Sequence, residues 1–264
     1  MPMILFSSNV PASANIASWL PGLGFERTDE NKWIFEKTTL LDTKVQKILD
    51  VPTDSKTDYF IVLSPHRSEA NLQSLTVHIP GNWDSAEFGG NPRTLNTSFP
   101  SLQKALLAKM HGKNKEYGLG FNVNYEVDHH GPTIGTPILF VEIGSSETEW
   151  KNPLAGKIIA ESVFEAVCTN PCKNSESSEA FFGVGGGHYA PKFTSLALEK
   201  DFAFGHMLPK YRADSIGPDT FAQAMEKNLG KVEKIILDKK GASGEQKETI
   251  RLLAKERGIE ILGL

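Results

Sequence analysis

The chain has 264 residues, 39% of them hydrophobic, and that length can bury a full-sized core as one large α/β domain or two small ones; one domain over 1–264 is expected. The formal net charge of −4 excludes a protein that coats nucleic acid by charge alone, although it is compatible with a local basic patch at one RNA end. No apolar run approaches the roughly 18 residues that cross a bilayer, and Met1–Val10 lacks the basic start of a signal peptide, so a soluble cytoplasmic protein with no membrane contact is expected.

Met3 to Ser7 reads as a short apolar strand, and a helix-like stretch through Ile16, Trp19 and Leu20 follows Pro11 and stops at Pro21-Gly22. Lys32 to Glu36 alternates like a half-buried strand, and Asp58 to Leu63 is a continuous run suited to a central one. His66 and Arg67 stand just beyond it. Leu75 to Trp83 holds another short strand, which carries His78 and is broken by Pro80-Gly81-Asn82. Residues 84–98 are polar and rich in Gly, Asn and Ser, as a long functional loop would be.

Phe99 to Met110 has helical spacing, and Phe121 to Val127 alternates as a strand that runs into Asp128-His129-His130-Gly131-Pro132. Pro137 to Gly144 is a buried strand with Glu142 inside it, and Asn152 can cap a helix from Pro153 to Val167. Residues 169–179 are polar and carry no core signal. Cys168 and Cys172 make neither a C-x-x-C metal pair nor a disulfide framework, and read as reduced thiols. Ala180-Phe181-Phe182 is a strand that ends in the run Gly183-Val184-Gly185-Gly186-Gly187-His188. Beyond it come a helix from Phe193 to Lys200, a strand from Phe202 to Gly205 ending on His206, a helix from Asp219 to Leu229, a strand from Val232 to Leu237, a helix from Ser243 to Arg257 and a strand from Ile259 to Leu262. This alternation predicts an α/β fold: a mainly parallel or mixed twisted sheet with helices on both faces.

The glycine run is neither a dinucleotide fingerprint nor a P-loop, since His188 occupies the place of the third glycine and no Gly-Lys-Ser/Thr follows. It can offer a row of backbone N–H groups beside an imidazole. Of the seven histidines, six (His66, His78, His129, His130, His188 and His206) stand beside Gly or Pro at predicted strand ends, and only His111 lies at a helix end. A shared pocket is the expectation. Two chemistries suit it. Zinc held by imidazoles and a carboxylate such as Glu126, Asp128 or Glu142 would supply hydroxide at neutral pH. Without a metal, a histidine could act as general base on water while glycine N–H groups hold an oxyanion. Both end in hydrolysis of an acyl bond, and no G-x-S-x-G elbow points to a covalent serine route.

His66-Arg67-Ser68-Glu69, His78-Ile79-Pro80-Gly81-Asn82, Glu126-Val127-Asp128-His129-His130-Gly131-Pro132, Gly144-Ser145-Ser146-Glu147 with Trp150, Gly186-Gly187-His188-Tyr189-Ala190-Pro191 and Gly205-His206, in that order, resemble the archaeal and plant-type D-aminoacyl-tRNA deacylase family. The resemblance implies cleavage of the ester between a D-amino acid and the 3′ end of tRNA, a fold akin to phosphorylases and peptidyl-tRNA hydrolases, and an association with zinc. Asp128 departs from the family's pattern, where a small hydroxyl residue is commoner, which leaves its own role open. The candidate catalytic residues are His188, His129, His130 and Glu126. Candidates for substrate binding are Gly185, Gly186, Gly187, Tyr189, Lys192, Asn82 and Arg67, with Lys210 and Arg212 as further cations for terminal phosphates. Candidate metal ligands are His66, His78, His206 and Glu142. The expected partner is the tRNA acceptor end, met by a monomer. A metal-dependent amidase or peptidase and a non-enzymatic RNA-end binder are the alternatives.

Overall fold

Strands and helices alternate along the chain: β1 (Met3–Phe6), α1 (Pro11–Ala17), β2 (Glu26–Asp29), β3 (Lys32–Phe35), β4 (Thr38–Asp42), β5 (Phe60–Pro65), β6 (Ser74–His78), β7 (Gly81–Asn82), β8 (Thr94–Leu95), α2 (Pro100–Glu116), β9 (Asn122–Tyr125), β10 (Ile138–Gly144), α3 (Glu147–Trp150), α4 (Pro153–Phe164), β11 (Glu179–Val184), α5 (Pro191–Glu199), β12 (Phe202–Leu208), α6 (Pro218–Glu226), β13 (Val232–Leu237), α7 (Gly244–Glu256) and β14 (Glu260–Gly263). The structure, a computed structural model, describes residues 1–52, 56–69, 71–169, 179–200 and 202–263. Cys172 and most of the polar stretch expected as a loop lie outside them. The α/β expectation holds, with a large mixed sheet.

The chain sorts into two compact units, Met1–Val77 with Ala105–Asn124 and Thr136–Lys173, and His78–Lys104 with Tyr125–Gly135 and Asn174–Leu264. Neither is a continuous stretch, so no linker composition marks a boundary in the sequence.

The first unit is built on eight strands in the order β2-β3-β4-β1-β5-β10-β6-β9. β4, β1, β5 and β10 run parallel, with Ile4 opposite Ile61 and Phe140 opposite Val62. Phe60 to Leu63 and Ile138 to Val141 are all fully buried, which is why these central strands read as unbroken apolar runs. Each such side chain contributes about 1.5–3 kcal/mol by leaving water. β2 and β3 form an antiparallel hairpin that pairs onto β4. The four residues of β2 are all exposed, so it shows no alternation to read in the sequence.

In the second unit four parallel strands lie in the order β12-β11-β13-β14. Phe182, Val184, Ile235 and Leu237 from this sheet pack with Phe221 of α6 and Ile250 of α7 into one core. Three expectations need correction. β12 runs on to Leu208, so His206 lies inside a buried strand rather than at its end. His111 likewise sits within α2, which continues to Glu116. The helix expected to reach Val167 leaves α-helical form at Phe164 and continues as a π-helical turn, Glu165–Thr169.

Candidate active site

The segment that follows β9 is clamped from both sides. Val127 N–H donates to His188 C=O at 3.0 Å, Asp128 N–H to Met207 C=O at 3.1 Å, and Tyr125 C=O accepts from Ala190 N–H at 3.1 Å. On the other side Gly81 N–H donates to His129 C=O at 3.2 Å. These main-chain bonds bring residues far apart in sequence to one place. Next to them the loop at 88–91 closes in, and Gly131 is required there: a Cβ would lie 2.4 Å from Gly90 N.

Four imidazoles meet. The rings of His78 and His129 stack at 4.3 Å, His130 stands edge-on to both at 4.8 and 4.4 Å, and His188 is edge-on to His129 at 4.6 Å. Glu126, whose side chain is fully buried, places Oε2 3.0 Å from His188 Nε2 and 3.5 Å from His129 Nε2. His129 donates from Nδ1 to Val127 C=O at 2.8 Å, and His130 from Nδ1 to Gly131 C=O at 2.5 Å. Burial, and the neighbouring imidazoles of His78, His130 and His188, hold the His129 pKa well below 6.5 against the opposing pull of Glu126. The ring is therefore neutral at pH 7.

His129, His130 and His188 line a cavity of about 220 Å³ that Trp83, Phe88, Tyr211 and Arg212 complete. Sequence reading missed Phe88 and Tyr211. They are 69% and 55% exposed, and an exposed aromatic within a polar loop was the signal available.

The other predicted residues fall out differently. His206 is fully buried, with Nδ1 2.7 Å from Asp128 Oδ2 and Nε2 donating to Lys227 C=O at 3.0 Å. Both ring nitrogens are taken, so it is not placed to ligate a metal. Asp128 also accepts from Met207 N–H at 3.0 Å, which answers its open role: it ties this loop to β12. Gly185 and Gly186 have φ of 110° and 86°, a region that favours glycine, but their N–H groups donate to Leu208 and Gly241 carbonyls at 2.8 and 3.0 Å. They are spent on the turn and cannot cradle an oxyanion. Asn82 borders the cavity, yet its amide donates to the Gly89 and Asn91 carbonyls at 2.9 and 3.2 Å and so anchors the loop.

Gly187, Tyr189 and Lys192 line a second cavity of about 190 Å³ with Asp238, which Lys192 pairs with. Burial pushes the Asp238 carboxyl up, but Lys192 and the N–H groups of Gly241 and Lys240 outweigh it and hold it below the ordinary value. His66 and Glu142 belong to the first unit and face one another, Nδ1 to Oε2 at 3.4 Å, both buried. Arg67 is exposed there, and Lys210 is exposed in the second unit. Cys168 is free, and burial pushes its thiol up to about 11, a group unsuited to nucleophilic work at neutral pH.

His78, His129 and His130 each offer one ring nitrogen, and these three atoms lie within 4.8 Å of one another, a grouping that could hold a metal ion. The donor set suits zinc: three imidazoles, two of which donate from Nδ1 to a main-chain carbonyl, as ligating histidines do. Of the expected ligands His66, His78, His206 and Glu142, His78 belongs to this triplet.

A buried carboxylate that engages imidazoles beside a cavity is the equipment of an enzyme that moves protons to and from a small reacting group. The sequence model of the D-aminoacyl-tRNA deacylase family matches residues 53–262. The D-aminoacyl-tRNA deacylase of Pyrococcus furiosus is 42% identical over 84% of this chain and 78% of its own, and that of Methanocaldococcus jannaschii 43% over 77% and 81%. The D-aminoacyl-tRNA deacylase of Thermococcus onnurineus is 36% identical over 99% of both chains. A crystal structure of a conserved protein of unknown function, AF0625, matches with a TM-score of 0.88 at 28% identity, over 100% of this chain and 95% of its own. The chain belongs to the D-aminoacyl-tRNA deacylase family.

Proposed function

We propose that this chain hydrolyses the ester that joins a D-amino acid to the 3′ end of tRNA, releasing the free amino acid and the tRNA, and that the imidazole-lined cavity of the second unit is where it does so. The observation that carries this is the Glu126 carboxylate held against His188 and His129 at the wall of that cavity. His188, whose Nε2 lies 3.0 Å from Glu126 Oε2, is the base of this reading: it takes a proton from the attacking water and returns it to the departing ribose oxygen, with the carboxylate beside it to favour the protonated ring. An aminoacyl ester is already activated, so a positioned water and a base suffice.

Zinc is part of the proposal. His78, His129 and His130 would hold it, and it would supply a polarised ester carbonyl and a bound water acidic enough to ionise near pH 7. Phe88 and Tyr211, exposed at the cavity, are suited to stack an unpaired base of the acceptor end.

The test is to incubate the purified protein with tRNA charged with D-tyrosine and with L-tyrosine. Faster loss of the D-ester is expected, and equal, negligible loss of both overturns the reading.

A further inference from the structure

We propose that the cleft at the C-terminal ends of β1 and β5, in the first unit, is a second binding site that holds a phosphate group of the tRNA backbone between Lys47 and Arg67. This rests on the reading of the chain as a tRNA deacylase.

Topology makes the cleft. β1 and β5 are adjacent and parallel, Leu5 opposite Val62. From β1 the chain turns through α1 and the β2–β3 hairpin to β4 on one side, and from β5 it passes to β6 on the other, beyond β10. Connections that leave neighbouring parallel strands in opposite directions open a crevice at their carboxyl ends, where ligands of open α/β sheets collect. A cavity of about 260 Å³ lies there, walled by Asn9 after β1, Gln46 and Lys47 after β4, Pro65 and Arg67 at the end of β5, and Trp150 of α3.

The chemistry of the wall selects the ligand. It carries two cations, two side-chain amides and no carboxylate or histidine, in a chain whose net charge is −4. That excludes a divalent cation; Val10, Pro11, Ile48, Pro65 and Trp150 supply the apolar part of the wall, and the two cations select a guest that carries negative charge. The Arg67 guanidinium lies 5.0 Å over the Trp150 ring, and Trp150 is itself fixed: it is 8% exposed and donates from Nε1 to His66 C=O at 3.0 Å. Stacking pre-orients the guanidinium and leaves its in-plane N–H fork for a tetrahedral oxyanion, the geometry in which arginine recognises phosphate. Lys47 supplies a second charge from a different loop.

Binding of uncharged tRNA as a function of salt decides it, measured by filter retention for the parent, Lys47→Ala, Arg67→Ala and Lys47→Arg, with inorganic phosphate titrated in parallel. Each alanine variant is expected to weaken binding roughly three- to tenfold and to lower the slope of log affinity against log salt by about 1, while Lys47→Arg keeps parental values. Both alanine variants matching the parent in affinity and slope overturns the proposal. So does inorganic phosphate that binds the parent but not the variants while tRNA binding is unchanged, because the ligand is then a small free phosphate. A parent that deacylates with variants that bind tRNA normally removes this site and leaves the activity; a parent that binds tRNA through Lys47 and Arg67 but discharges no D-ester removes the activity and leaves the site.

Discussion

Glu126 and His188 approach to 3.0 Å, a fully buried carboxylate oxygen against the nitrogen of an imidazole that lines the cavity. They stand 62 positions apart in the sequence, and the antiparallel bridge between Glu126 and Tyr189 is what joins them. Exchange of that carboxylate for an amide keeps the shape and removes the charge beside the ring. Glu126→Gln is expected to lower kcat for D-aminoacyl-tRNA roughly 10³- to 10⁴-fold while the melting temperature changes little. Single-turnover rates check this, and a loss under tenfold places the proton-transfer pair elsewhere.

Metal content separates the two histidine groups. Protein purified without chelator is expected to hold close to one zinc per chain, lost in His129→Ala and in His130→Ala but kept in His206→Gln, and chelation is expected to slow deacylation. Elemental analysis of the variants reads it out. Full activity in a metal-free preparation rejects the zinc and leaves the carboxylate and imidazole route standing.

Asp128 and His206 form a buried pair at 2.7 Å, both side chains at 0% exposure. Removal of one partner strands the other in the core, a loss of about 3–5 kcal/mol. Asp128→Ala is therefore expected to shift the urea midpoint strongly downward. A change below about 1 kcal/mol would mean that water reaches the abandoned imidazole.

Asp238 sets a pH dependence of stability. Its folded pKa lies below its ordinary value, so as pH falls the unfolded chain binds a proton before the folded one does. The stabilisation is thus fully present above the ordinary carboxylate range and is lost as pH falls through the lower folded value. Asp238→Asn is expected to melt below the parent at pH 7 and to converge with it in strong acid; parallel melting curves at every pH count against the Lys192 pairing.

Much of the architecture was legible from local pattern. β5, β10 and β11 are buried on both faces, and an unbroken apolar run is the direct consequence. β2 escaped notice because an exposed hairpin strand needs no apolar face. Six histidines were expected to converge from their shared place next to Gly or Pro, and of these His78, His129, His130 and His188 lie ring to ring. His206 shared that signature for another reason. Gly205 precedes it because a Cβ there would lie 2.1 Å from Asn228 Oδ1, inside a strand that goes on for three more residues.

Residue order alone established the α/β class, the motifs of the family and the loops that carry the chemistry, because burial and turn formation act on neighbouring residues and leave a periodic trace. Folding in three dimensions decided which nitrogen meets which oxygen. Gly185 and Gly186 lost their donors to carbonyls at Leu208 and Gly241, and His206 lost both nitrogens to Asp128 and Lys227. Those partners come from separate strands and loops, and a buried polar group must take whatever partner the packing brings to it, which nothing in the local sequence records.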